Sequence, residues 1–125
     1  MNAPERSDSF ILNEENGERK IEYTQDTKVT NAGQFRFNKE DHTVLNLLRM
    51  QLLRDPQVRF VGYQHPHPLL HYYDLKIQTN SATVAPGDVL SNAIEDLGGE
   101  TDHLTQAFDA AMEKWRSENR GELED

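Results

Sequence analysis

Three stretches carry residue types that could do chemistry. The first is His65-Pro66-His67, with His71 four residues further on and His42 and His103 elsewhere. A His-x-His pair binds zinc when a third ligand converges on it. Here Pro66 and Pro68 stiffen the connector, and no cysteine or well-spaced carboxylate accompanies the histidines. The reading is therefore a run of exposed connector residues. A homodimeric binding module with a metal at this His cluster is the competing one. The second stretch is Glu40-Asp41-His42-Thr43, an acid, a base and a hydroxyl in a row. Consecutive residues point in different directions and cannot form a nucleophile–base–orienter relay. An acidic helix start, with Asp41 or Thr43 as its cap, explains the same residues. The third is Ser81-Ala82-Thr83, which lacks the glycine pattern that cradles phosphate. The chain thus presents no catalytic set, no cofactor-binding motif and no metal site, and it is not expected to be an enzyme.

Composition narrows the alternatives. Lysine plus arginine is 13 and aspartate plus glutamate 22, so the formal charge is 13 − 22 = −9. Phosphate binding needs clustered cations, so non-specific nucleic-acid binding and docking on acidic membranes are both disfavoured. With no cysteine there are no disulfides and no thiolate chemistry. No apolar run reaches the length of a bilayer-spanning helix. The start, Met1-Asn2-Ala3-Pro4-Glu5-Arg6, has no basic or apolar signal-peptide pattern, so a soluble intracellular protein is expected. At 125 residues the chain is one domain, taken as 1–116. An acidic stretch, 117–125, is expected to be a solvated, disordered tail.

The elements that must position any site follow from periodicity. Phe10-Ile11-Leu12 is read as an edge strand or anchoring segment. Lys20 to Thr24 and Gln34 to Lys39 alternate as half-buried strands, with Ile21, Tyr23, Phe35 and Phe37 pointing inward. Val58 to Tyr63 is a third strand, with Val58 and Phe60 on one face, Val61 and Tyr63 on the other, and a bulge or close contact at Gly62. Tyr72 to Thr79 is the fourth. The order β, β, α, β, β, α predicts an α+β fold: an antiparallel four-stranded sheet with two helices packed on one face.

Both helices carry more apolar surface than one stripe requires. In Glu40 to Arg54, Leu45, Leu48 and Leu52 form one stripe, and Val44, Leu47, Met50 and Leu53 widen it. Asp55-Pro56 ends the helix. In the last helix Leu90, Ile94, Leu97, Thr101, Leu104, Phe108, Ala111 and Trp115 are spaced 4, 3, 4, 3, 4, 3, 4, the spacing of a helix lying along another helix. Gly98-Gly99 interrupts this stripe at roughly 1 kcal/mol of lost propensity per glycine, and a bend or close helix contact is expected there. Arg49, mid-helix, suits either a snorkelling surface position or an interface ion pair. A helix this apolar buries one face in its own core and another elsewhere, which in a small chain points to another subunit.

Asn38-Lys39-Glu40-Asp41-His42-Thr43-Val44-Leu45-Asn46-Leu47-Leu48-Arg49 resembles the alpha-motif of RNA polymerase subunits. Leu53-Arg54-Asp55-Pro56-Gln57-Val58, Phe60-Val61-Gly62-Tyr63, His67-Pro68-Leu69 and Gln78-Thr79 continue the match. From Met1 to about Trp115 the chain is identified as a member of the small alpha-like subunit family of DNA-directed RNA polymerases. That family includes archaeal subunit L and is related to the bacterial alpha N-terminal domain. The stretch 1–6 resembles the polymerase II branch; the paralogue shared by polymerases I and III is the alternative. The resemblance implies a dimerisation fold whose long C-terminal helix lies in a heterodimer interface. It implies a nuclear, non-catalytic subunit that needs the larger alpha-like (third) subunit as its partner. The pair would form the assembly platform for the two large catalytic subunits in mRNA transcription, with the small tenth and twelfth subunits in the same complex. The active-site magnesium would belong to the large subunits, so this chain needs no cofactor, no specific nucleic-acid contact and no membrane.

Family interface positions fall on His42, Thr43, Asn46, Leu47, Arg49 and Leu53. The apolar pattern adds Leu48 and Leu52 from the same helix and Leu90, Ile94, Leu97, Leu104, Phe108 and Trp115 from the last. Leu45 stands where the family usually has glycine, so wider helix approach or a shifted register is expected.

Overall fold

The computed structural model describes residues 3–123. Its main elements are β1 (Ile21–Gln25), β2 (Ala32–Asn38), α1 (His42–Leu53), β3 (Val58–Gln64), β4 (Tyr72–Thr79), α2 (Pro86–Glu118) and the short α3 (Arg120–Leu123). Single 3-10 turns at Arg6–Ser9 and Glu14–Asn16 precede them. The expected element order is present. Two compact units are distinguished, one up to Ala93 and one from Ile94 onward.

In the first unit the four strands form one antiparallel sheet in the order β1-β2-β4-β3. Alternation sorts the side chains. Phe37 faces Tyr73, Phe35 faces Leu75, and Ile77 faces Val61, all buried on one side. Gln34, Arg36, Lys76 and Gln78 fall on the other. Leu45, Leu48 and Leu52 of α1 and Val89, Leu90 and Ala93 of α2 complete the core. A one-residue slip in these strands would turn the apolar set outward, so the burial pattern also sets the register.

The connections are held by hydrogen bonds rather than by apolar packing. Lys39, between β2 and α1, takes a left-handed φ of 60°. Its N–H donates to the His71 carbonyl at 2.7 Å, and its carbonyl accepts from Lys20 Nζ at 3.2 Å. Thr79 is fully buried, and its hydroxyl lies 2.7 Å from the Val84 carbonyl and 2.8 Å from that of Ser81. Those contacts fold the loop that starts α2. On the outer sheet face Arg36 Nε donates to buried Asp74 at 3.0 Å while its guanidinium lies 4.1 Å from the Tyr72 ring centre. That hydrogen bond, reinforced by the Asp74 charge, raises the Arg36 pKa against the cost of burial.

Several expectations take a different or more definite form in the structure. Phe10-Ile11-Leu12 forms no strand; it follows a 3-10 turn, and Phe10 and Ile11 are exposed. The bulge lies between Val58 and Phe60, and the close contact is at Gly62, where a Cβ would stand 3.3 Å from the Phe60 ring. The extra residue puts Val58 opposite Thr79 on the core side and Phe60 on the outer side, so these two do not share a face. α2 resumes through Gly98 and Gly99 without a break, and a Cβ built at either would meet nothing of this chain within 4 Å. Within the stretch read as a tail, Ser117 and Glu118 continue α2 and Arg120–Leu123 is helical; Glu124 and Asp125, like Met1 and Asn2 at the start, lie outside the described residues.

Candidate functional site

The candidate site is built on α1. Asp41 caps the helix: its Oδ1 accepts from the Thr43 N–H at 2.9 Å. The helix end is closed by the Arg54 N–H donating to the Gln51 carbonyl at 3.1 Å, before Asp55-Pro56. Between these ends the side chains divide by helical spacing. Leu45, Leu48 and Leu52 point into the core and are at most 4% exposed. Thr43, Val44, Asn46, Leu47, Met50 and Leu53 are on the open side. Leu47, Met50 and Leu53 are 52%, 54% and 57% exposed, large for three apolar side chains at 3-residue steps on a 12-residue helix.

Polar residues on this side are satisfied within the helix. Arg49 Nη2 donates to Asn46 Oδ1 at 2.9 Å, and Asn46 Nδ2 lies 3.8 Å from Met50 Sδ. At the N-terminal end His42 Nδ1 is 3.0 Å from the Tyr63 hydroxyl, and its ring meets Tyr73 edge-on at 5.0 Å. Burial, with the Asp41 and Tyr63 charges adding to it, pushes the Tyr73 hydroxyl above its ordinary pKa. His42 is thus tied to the sheet by aromatic contacts.

The second unit carries the other candidate surface. Ile94, Leu104, Phe108 and Trp115 are 45%, 68%, 66% and 49% exposed, and Leu97 is half-buried. Thr101 lies in the same stripe, and its hydroxyl donates to the Leu97 carbonyl at 2.8 Å. That back-bond satisfies the hydroxyl and leaves the methyl group to the stripe. Between Ile94 and Glu113 there is no lysine or arginine, so the polar side of the segment is acidic.

The residues expected at a partner contact therefore fall into two groups. Thr43, Asn46, Leu47, Leu53, Ile94, Leu104, Phe108 and Trp115 are exposed, as is His42, while Arg49 and Leu97 are half-buried. Leu48, Leu52 and Leu90 are corrected: they are buried in the chain's own core, as helical phase and sheet contact require. A charge at Leu48 would report on folding before it reported on any partner. Leu45 is also buried inward, so it is not placed to hold a partner helix away. Met50 and Val44 belong with the exposed group, and their three-residue spacing with Leu47 and Leu53 is the sequence signal for it.

The histidine cluster does not converge. His65 stacks on Tyr73 at 4.3 Å and its Nε2 faces the Leu70 carbonyl at 2.7 Å, while His67 meets Tyr72 edge-on. Among the described residues no three His, Asp or Glu side chains are grouped to hold a metal ion. No described helix is long and apolar enough to cross a membrane.

Residues 32–107 match the model of the RNA polymerase Rpb3/Rpb11 dimerisation domain. The chain is 49% identical over 114 residues to the probable DNA-directed RNA polymerase II subunit RPB11 of Caenorhabditis briggsae, covering 91% of this chain and 90% of that one. It is 41% identical over 117 residues to the DNA-directed RNA polymerase II subunit rpb11 of Dictyostelium discoideum, covering 94% and 95%. In fold it is similar to the crystal structure of DNA-directed RNA polymerase subunit L from Thermoplasma acidophilum, with a TM-score of 0.65 at 20% identity, covering 79% of this chain and 96% of that one.

Proposed function

The chain belongs to the RNA polymerase Rpb3/Rpb11 dimerisation family, and from that premise we propose that it is the small alpha-like subunit of DNA-directed RNA polymerase II. It pairs with the larger alpha-like (third) subunit and works in the nucleus. The pair is the platform on which the two large catalytic subunits assemble, with the small tenth and twelfth subunits in the same complex. The chain itself catalyses nothing. The polymerase II assignment rests on the relatives, which are named as subunits of that enzyme.

The observation that carries the pairing is the set of large apolar side chains left open on two helical surfaces: Leu47, Met50 and Leu53 on α1, and Ile94, Leu104, Phe108 and Trp115 in the second unit. Covering apolar area is worth about 25 cal/mol per Å². A helix of this kind left in water forgoes that gain and invites aggregation. The acidic flank of the second stripe calls for a partner surface that is apolar at its centre and basic at its rim. Leu97 and Thr101 lie within that stripe, and Thr43, Asn46 and Arg49 border the one on α1.

The test is size-exclusion chromatography with mass determination, for the chain alone and co-expressed with the larger alpha-like subunit. A 1:1 complex that is disrupted by Leu47→Asp, with the variant alone keeping its circular-dichroism spectrum, is the expected result. A folded monomer or homodimer that ignores the larger subunit would refute the pairing.

A further inference from the structure

β1 is an end strand whose outer edge is open. Among the described residues its one strand neighbour is β2. The Asn38 N–H donates to the Lys20 carbonyl at 2.9 Å, and the Asp26 N–H to the Ala32 carbonyl at 3.1 Å. These two bonds set the alternation of the antiparallel ladder: Glu22 and Thr24 turn their backbone groups toward β2, and Ile21, Tyr23 and Gln25 turn theirs outward. No strand of the described chain pairs with that side.

The side chains repeat the message. All five β1 residues are exposed, including Ile21 at 39% and Tyr23 at 49%, which lie on the same sheet face as the buried Phe35, Phe37, Tyr73, Leu75 and Ile77. Tyr23 is nonetheless held in place. Its ring packs on Phe35 at 4.8 Å, and it occupies the space that a Cβ on Gly33 would need. Natural sheet edges are guarded by shortness, by charged side chains, by proline, by a bulge or by an inward-pointing charge, and β1 has one charged side chain, the outward Glu22. Residues 21–25 contain no proline, the β1–β2 register has no shift, and the inward positions are Ile21, Tyr23 and Gln25. β1 also lies before residue 32, where the match to the dimerisation domain begins.

We infer that the β1 edge is a strand-addition site, taken by an extended segment of a polymerase subunit other than the larger alpha-like partner. Main-chain hydrogen bonds to Ile21, Tyr23 and Gln25 would hold it, and apolar side chains at alternate positions would cover Ile21 and Tyr23. The size of the edge selects the occupant. Five residues span about 17 Å, and a single strand added there covers far less than the roughly 1,200 Å² of a free-standing specific complex. A free peptide or a second copy paired through β1 alone would not stay bound; a segment tethered to the same assembly would, because its effective concentration is high. The inference rests on the proposed place of the chain in a polymerase.

Hydrogen exchange of the fragment spanning Ile21–Gln25 tests it. The exchange is followed in the chain alone, in the complex with the larger alpha-like subunit, and in the assembled polymerase. Slowing by at least tenfold only in the assembled enzyme is the expected result. Ile21→Pro removes one outward N–H without touching the β1–β2 ladder. It should leave the two-subunit complex intact and abolish the added slowing. Equal exchange in all three states would overturn the inference while leaving the pairing standing. Slowing in the chain alone that grows with concentration would overturn it in favour of a second copy. Slowing complete in the two-subunit complex would overturn it in favour of the larger subunit. Failure to form the two-subunit complex at all would strike the proposed function instead.

Discussion

Helix α2 contains two regions written in the same pattern. Over Pro86–Ala93 the apolar residues Pro86, Val89, Leu90 and Ala93 are buried. From Ile94 onward the stripe continues in phase, yet Ile94, Leu104, Phe108 and Trp115 are exposed. Helical spacing is a local property and says which residues share a face. What covers that face is a property of everything else in the folded assembly. The first region is spent on the chain's own stability, and the second is available for association. The same division runs around α1, between Leu45, Leu48 and Leu52 on one side and Leu47, Met50 and Leu53 on the other.

The comparison is broken most directly by truncating one residue from each region. Leu90→Ala, at a position only 4% exposed, should cost about 2–5 kcal/mol of unfolding free energy, the range for core Leu→Ala changes. Phe108→Ala should change the stability of the chain alone by less than about 0.5 kcal/mol. It should weaken binding to the larger alpha-like subunit by about 2 kcal/mol, the threshold of an interface hot spot. Denaturant titration of each variant and a titration of the partner separate the two effects. A Phe108 variant that loses stability without losing affinity would reverse the assignment.

A smaller effect sharpens the same contrast within the second unit. Gly98 and Gly99 have open space where a side chain would stand. Gly98→Ala should therefore stabilise the helix by about 0.5–1 kcal/mol. Slower amide exchange across 95–103 in the chain alone would show it. Weaker partner binding by this variant would mean that the glycine serves close helix approach in the complex.

The smallest expected effect belongs to the first unit alone. Asp26 accepts from the Lys28 N–H at 2.7 Å and the Val29 N–H at 3.2 Å, and these bonds hold its carboxyl below the usual value. A carboxyl with a lowered folded-state pKa adds stability above its unfolded value, and that stability is lost as pH falls through the folded one. The urea midpoint should therefore decline from about pH 4 downward. Asp26→Asn should flatten that part of the curve. An unchanged acid slope in the variant would remove Asp26 from the account.

Much of the fold could be read from residue order. Phe35 and Phe37, and Tyr73, Leu75, Ile77 and Thr79, announce their strands by alternation, and Leu45, Leu48 and Leu52 announce the inward face of α1. The misread positions share a cause. Arg59 looks like an ordinary strand residue, yet the register shift beside it moves Val58 to the core side and Phe60 outward. Leu48, Leu52 and Leu90 were assigned to a partner because an excess of apolar residues does not say which of them the chain keeps for itself. Gly98-Gly99 reads as a bend or a close helix contact; α2 runs on through the pair, and the contact is a matter for the partner helix.

By itself, then, the sequence determined the element order, the alternation of β2 and β4, the inward stripe of α1 and the absence of a residue set for catalysis. These depend on side-chain type and on periods of two and 3.6 residues, which act over a few neighbours. The tertiary structure decided which apolar faces are covered, where the sheet bulges and which strand edge stays open. Those depend on contacts between residues far apart in the chain, where burial is settled by what lies opposite and not by what lies adjacent.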